Sequence, residues 1–319
     1  MSGQYSGPSR TRSIAARIAG ARRWLIAPLV LMLALAPSQA YAGVVVVLKS
    51  RAIEAFDAAA AGFRAAHHDS VVELTLGEGS PEPIITRVLS VRPDAIVAIG
   101  ARAARLAHDR LPQIPLVLCA VPPPERMSLH GDALTGVTIE IAPSTALQAL
   151  RTVAPDVRRV AVFYAPSTGL EMLRAARAGA ATLGLTLVEV PVPALDQLAP
   201  RAQKAIAEAD AMWLPPDPEI AAPEAFRFLL DLSLRTRKPL FAFSEQLVRA
   251  GALAAVVPDW EAAGAQAAEV MARLEAGADP NDLPLVGVRR TRIVINRTTA
   301  SVLGRRLPDG LPLTAEVLP

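Results

Sequence analysis

The chain has 319 residues, of which 33 are basic, 30 acidic and 52% hydrophobic, enough apolar content for one large or two ordinary cores. Five of the basic residues (Arg10, Arg12, Arg17, Arg22 and Arg23) fall in the first 42 positions, where there is no acid; beyond them 28 basic residues face 30 acidic ones. That balance, near −2, excludes the argument from net positive charge to a nucleic-acid partner.

The arginines are followed by an apolar run, Trp24 to Ala36, and then by Ala40-Tyr41-Ala42. A basic segment, a short apolar core and an A-x-A site in that order form a secretory signal peptide, with cleavage expected after Ala42. The apolar run falls short of the roughly 20 residues that a membrane span needs. An uncleaved anchor is the alternative, and the Arg22-Arg23 pair does not decide the export route. Cys119 is the single cysteine, so no internal disulfide forms and no lipid-accepting cysteine follows the leader. No later apolar stretch reaches spanning length, which excludes a membrane-spanning transporter subunit.

From Gly43 onward, β-branched runs alternate with Ala-rich helical stretches, the pattern of βαβ units around a parallel sheet. Strands are predicted at Val44–Leu48, Val71–Leu76, Ala95–Ile99 and Leu116–Val121. Ile53, Phe56, Ala60 and Phe63 recur at helical spacing between the first two. The pattern breaks in a loop from Pro122 to Asp132, then resumes with an extended piece, Leu134–Ile141, and a helix over 144–154. A second series follows with strands at Val160–Tyr164, Thr186–Val190, Ala211–Leu214 and Leu240–Phe243. A strand at Leu253–Val257, a helix over 261–276 and a strand at Arg292–Asn296 complete the chain. Two successive sheets predict two lobes.

Three runs in order carry a resemblance: Arg92-Pro-Asp-Ala-Ile-Val-Ala-Ile-Gly100, Leu134-Thr-Gly-Val137, and Arg159-Val-Ala-Val-Phe-Tyr-Ala-Pro166. Leu214-Pro-Pro-Asp217, Lys238-Pro-Leu-Phe241, Gly251-Ala-Leu253, Gly264 and Ile295-Asn296 continue it. Together they resemble the ABC transporter substrate-binding proteins related to tryptophan-binding proteins. The resemblance implies an α/β type I periplasmic-binding-protein fold, in which two Rossmann-like lobes, each a parallel sheet flanked by helices, are joined by three crossovers. It also implies lobe 1 at 43–139 plus 253–278, lobe 2 at 140–252 plus 279–319, and a ligand between them.

Ligands of open α/β sheets sit outside the carboxyl ends of the strands, which selects the candidate binding residues without reference to any family. Ser50 reads either as a hydroxyl donor to a ligand carboxylate or as a helix N-cap. Gly100 reads as a point of close backbone approach or as a strand-to-helix turn, and the two are compatible. Ala101 stands where related sequences commonly carry Thr or Ser, and Pro123-Pro124 where they tend to carry Asp-Pro; both departures make the cleft less polar. Asp217 reads as a turn residue or as a partner for a ligand ammonium, Ser244 as a cap or a contact, and Glu245 as rim or site. Tyr164 offers an aromatic platform or packs inward. Asp259 and Trp260 read as hinge or cap.

No nucleophile elbow, phosphate loop or dinucleotide fingerprint is present, and no cofactor or metal is expected. His67 and His68 are expected at a solvated helix end, His108 within a helix and His130 in a loop. Arg289, Arg290 and Arg292 are expected on a solvated strand face. The resulting expectation is a periplasmic solute-binding protein of an ABC-type importer. It would capture a small, amino-acid-like solute by hinge closure and present it to an ABC permease in the inner membrane. A ligand-sensing partner of a membrane receptor is the alternative on the same fold, and an enzyme is a third.

Overall fold

The computed structural model describes residues 43–127, 129 and 134–319; the leader and His130 lie outside the described residues. The first series runs β1 (Val44–Lys49), α1 (Glu54–Ala66), β2 (Ser70–Thr75), α2 (Glu82–Val91), β3 (Ala95–Ile99), α3 (Ala101–Arg110), β4 (Leu116–Val121), a short α4 (Pro124–Met127) within the expected loop, and β5 (Thr135–Thr138). The second runs α5 (Pro143–Val153), β6 (Arg159–Tyr164), α6 (Leu170–Thr182), β7 (Thr186–Pro191), α7 (Leu198–Glu208), β8 (Ala211–Trp213), α8 (Pro223–Thr236), β9 (Leu240–Ala242), α9 (Glu245–Arg249) and β10 (Ala254–Pro258). The chain ends with α10 (Trp260–Glu275), β11 (Val286–Gly287), β12 (Thr291–Asn296), α11 (Arg297–Val302) and β13 (Ala315–Leu318).

The strands form two sheets, ordered β11-β5-β4-β3-β1-β2 and β13-β12-β10-β9-β8-β6-β7, parallel except for the β10–β12 pair. The run Val44-Val-Val-Val-Leu48 explains how one strand serves two layers. Successive side chains point to opposite faces. Val45 and Val47 therefore join the core under α1 and α10, while Val46 and Leu48 join the core under α2 and α3. β6 repeats the device, with Val160, Val162 and Tyr164 on one face and Ala161, Phe163 and Ala165 on the other. Burying each such large apolar side chain stabilises the fold by roughly 1.5–3 kcal/mol.

The lobe boundary differs from the expected one. The resemblance implies lobe 1 for residues 253–278, yet β10 lies in the second sheet, parallel to β9 and antiparallel to β12. Of that span, α10 alone returns to the first lobe, where Ala263, Ala267 and Met271 pack into the core beneath β1. Conversely, β11 falls within the span 279–319 expected in lobe 2 but pairs with β5 of the first sheet. Local pattern names a strand, but which sheet accepts it is decided by partners far away in sequence. The three crossovers thus lie between β5 and α5, at Asp259, and between β11 and β12.

Glycine sets how tightly α10 seats. A Cβ on Gly264 would lie 1.9 Å from the Ala59 carbonyl oxygen, and one on Gly62 would lie 1.9 Å from that of Glu261. The α1 and α10 backbones therefore touch directly. One consequence is that His67, expected at a solvated helix end, is buried: the Phe63–His67 spacing stacks its ring on Phe63 with centroids 4.9 Å apart, whereas His68 is exposed. His108 lies in α3 as expected. Arg289 and Arg290 are exposed, as expected, but lie just before β12, while Arg292 is half-buried within it; the three side chains pair with Glu269, Asp259 and Glu316 respectively.

Candidate functional site: two switch points at the strand ends

Strand order reverses beside β1 in the first sheet, where β2 lies on one side and β3 on the other. It reverses beside β6 in the second, between β7 and β8. Crevices open outside the carboxyl ends of the strands at such points. Ser50 and Gly100 flank the first, and Ala165 and Asp217 the second.

At the first crevice the Ser50 hydroxyl accepts the Ala103 N–H at 2.9 Å, and the Ser50 N–H donates to the Ile99 carbonyl at 2.9 Å. Ser50 thus caps α3, a helix that follows a different strand. Its own O–H proton is not needed for that bond and is free to be donated. Gly100 holds φ +87° and ψ 162°, a conformation open essentially to glycine alone. A Cβ there would lie 2.6 Å from the Phe56 ring and 2.7 Å from Ser50 Oγ. Of the first-turn N–H groups of α3, Gly100 bonds the Cys119 carbonyl and Ala103 bonds Ser50, and those of Ala101 and Arg102 have no intrahelical acceptor. They are ready-made donors to an anionic group.

The second crevice is built on Asp217, which is 4% exposed. Its carboxylate accepts the Ala165 N–H at 2.8 Å, the Thr168 hydroxyl at 3.0 Å and the Glu219 N–H at 3.0 Å. Three of about four lone-pair positions are thereby filled from within the protein. Gly169 permits this, since a Cβ there would lie 2.9 Å from Asp217 Oδ2. Asp217 therefore anchors the loop after β6 to the loop after β8.

Tyr164 is packed inward with Val160 and Val162, because β6 alternation turns it onto that face; it does not stand as an aromatic platform at the strand end. Ser244 caps α9, its hydroxyl accepting the Leu247 N–H at 3.4 Å. Glu245 accepts two hydrogen bonds from Arg249, at 2.9 and 2.6 Å, and lies 3.8 Å from Arg292. Ser50, Gly100 and Ala101 thus share one crevice and Asp217 organises the other, while Ser244 and Glu245 occupy the end of β9.

Between the lobes, the Arg126 guanidinium donates to the Pro216 carbonyl at 3.3 Å. The crossovers are tied to each other: the Asp259 N–H donates to the Arg290 carbonyl at 3.0 Å, while Asp259 Oδ1 caps α10 by accepting the Ala262 N–H at 3.1 Å. Buried Gln266 donates to the Gly287 carbonyl at 3.1 Å and accepts the Arg289 N–H at 3.0 Å. Neither Arg126 nor Gln266 stands out in the sequence. A lone Gln in an Ala-rich helix carries no local signal, and its partners lie 21 and 23 residues away. Lys49, at the end of β1, is ion-paired with Asp57 and Glu73. Burial opposes its charge, but these two carboxylates prevail and raise its pKa.

The sequence profile of the family described as ABC transporter substrate binding protein matches residues 35–317. The chain belongs to this family. A tyrosine-binding protein from Clostridioides difficile (strain R20291) is 22% identical over 230 residues, 70% of this chain and 66% of that relative, just under two thirds of its length. The solved ligand-free, open structure of a substrate-binding protein with adhesive properties from Clostridium difficile superposes with TM-score 0.68 at 19% identity, over 86% of this chain and 99% of that one. A Streptococcus pneumonia ABC domain in complex with L-Trp does so with TM-score 0.53 at 22% identity, over the same shares. The fold of this ABC transporter substrate-binding protein is that of a type I periplasmic binding protein, two sheets joined by three crossovers. Among the described residues, no helix is long and apolar enough to cross a membrane.

Proposed function

We propose that the protein is the solute receptor of an importer, exported to the periplasm by its leader. There it captures a small amino-acid-like solute between the lobes and delivers it to an ABC permease in the inner membrane. The observation that carries this reading is the pair of switch-point crevices, one per lobe, on a chain that crosses between lobes three times. The Ala101 and Arg102 N–H groups and the Ser50 hydroxyl suit a ligand carboxylate. The tyrosine-binding relative and the L-Trp complex support an amino-acid-like ligand. Contacts from both lobes exist together only in the closed form, so ligand shifts the population towards closure. Catalysis has no part in this reading.

A thermal-shift screen of the purified chain against amino acids, nucleosides, sugars and organic acids tests it. A ligand at 100 times its Kd stabilises the native state by roughly 2.7 kcal/mol. A saturable amino-acid response with compaction in solution scattering supports the reading, and silence across the library overturns it.

A further inference from the structure

At the end of the first lobe remote from Ser50 and Gly100, three side chains from distant segments converge. His67 caps the C-terminus of α1, Asp69 immediately precedes β2, and Glu275 is the last residue of α10. One nitrogen or oxygen from each lies within 4.8 Å of the others. The His67 side chain is only 3% exposed, and its Nε2 is buried without a hydrogen-bond partner among the described residues. A buried polar atom left unmatched forfeits its hydration and gains nothing in return, so an orphan aimed at two carboxylates calls for a partner.

Geometry identifies the kind of partner. His67 Nε2 and Glu275 Oε1 are 3.8 Å apart, beyond a good hydrogen bond. Two ligands of a tetrahedral ion with bonds of about 2.1 Å stand about 3.4 Å apart. Electrostatics agrees: the C-terminal ends of α1 (13 residues) and α10 (16 residues) both carry partial negative charge at this place. Two carboxylates beside these helix ends give the site its negative character, and a single imidazole is the only nitrogen ligand in the cluster.

We propose that His67, Asp69 and Glu275 bind one divalent transition cation of the Zn2+ class. Imidazole together with carboxylates suits this class better than Mg2+ or Ca2+, which favour oxygen alone. Asp69 is half-buried and Glu275 exposed, which leaves water access to a fourth position. The ion fastens the ends of α1 and α10 to the start of β2 and acts on the stability of the first lobe, not on the solute crevice.

Isothermal titration of the untagged, chelator-treated chain with ZnCl2 tests this. One saturable site is expected, with a raised unfolding midpoint. Glu275→Gln and Asp69→Asn should each weaken binding by at least the roughly 10–100-fold that loss of an outer-shell partner costs. Glu275→Gln is decisive, because that side chain is partly exposed and its replacement keeps the shape, whereas His67→Gln also disturbs the Phe63 stack. X-ray absorption at the zinc edge should show one imidazole with oxygen neighbours. Absence of a saturable site in a cooperatively folded chain, unchanged affinity in Glu275→Gln, or a shell of several imidazoles would overturn the proposal.

Discussion

Asp217 Oδ2 accepts the Ala165 backbone N–H at 2.8 Å, joining two loops 52 residues apart across the switch point of the second sheet. Replacing Asp217 by Ala strands that N–H, the Thr168 hydroxyl and the Glu219 N–H together. Each buried donor left unpaired costs about 1–3 kcal/mol, although the loop can relax and solvate part of the set. The expected outcome of urea unfolding is a lower midpoint with a loss of about 2 kcal/mol or more.

Ser50→Ala removes the acceptor for Ala103 at the start of α3. Loss of a capping hydroxyl costs about 0.5–2 kcal/mol, readable as a lower Tm. Gly100→Ala should cost more, because strain at φ +87° adds to the contacts of 2.6 and 2.7 Å with Phe56 and Ser50. Circular dichroism melts of the two variants check that order; equal melting would mean that the turn relaxes freely.

Gly264→Ala places a methyl group 1.9 Å from a backbone oxygen that has no rotamer to escape into. Overpacking of this kind costs about 1–3 kcal/mol. A methyl group added at Gly277 meets no atom within 4 Å and carries only the left-handed φ of +87°, so Gly277→Ala is the control that separates backbone strain from steric overlap. Differential scanning calorimetry should find Gly264→Ala the less stable of the two.

Complete burial pushes the Cys119 thiol up to about 12. As the only cysteine in the sequence, it reports on global opening: iodoacetamide at a pH of about 8, close to the ordinary thiol value, should leave the folded chain unlabelled and modify it fully in denaturant. The sign of the linkage follows from a raised folded value. Stability from this group is fully present below the unfolded thiol value of about 8.5 and is lost as pH rises towards 12. Cys119→Ala should remove that part of the alkaline decline, measured as unfolding midpoint against pH.

Much of the fold is legible in local pattern. Strands such as Ala95–Ile99 and Leu116–Val121 are observed at their predicted limits, since runs of β-branched residues buried on both faces have few alternatives. β11 and β13 are absent from the prediction: one is two residues long, and the other is a short segment near the terminus. The sheet that receives β10 is hidden because it depends on pairing with Phe241 and Ile295. At the candidate site, Ser50 and Gly100 stand out because strand ends in a parallel sheet are marked by sequence. The anchoring role of Asp217 and the burial of His67 are not legible, for each depends on a segment brought in from 52 residues away or from α10.

The return of α10 to the first lobe has a temporal consequence. The lobe that begins at Val44 lacks the helix that covers Phe63 and Val47 until residues 260–275 have been made. The second sheet likewise lacks two of its seven strands, β12 and β13, until the chain is almost complete. Neither half closes its core early, so folding waits for the C-terminal third. Such late commitment leaves the apolar faces of both sheets uncovered for most of the chain's synthesis, when transiently exposed apolar surface is most prone to aggregate.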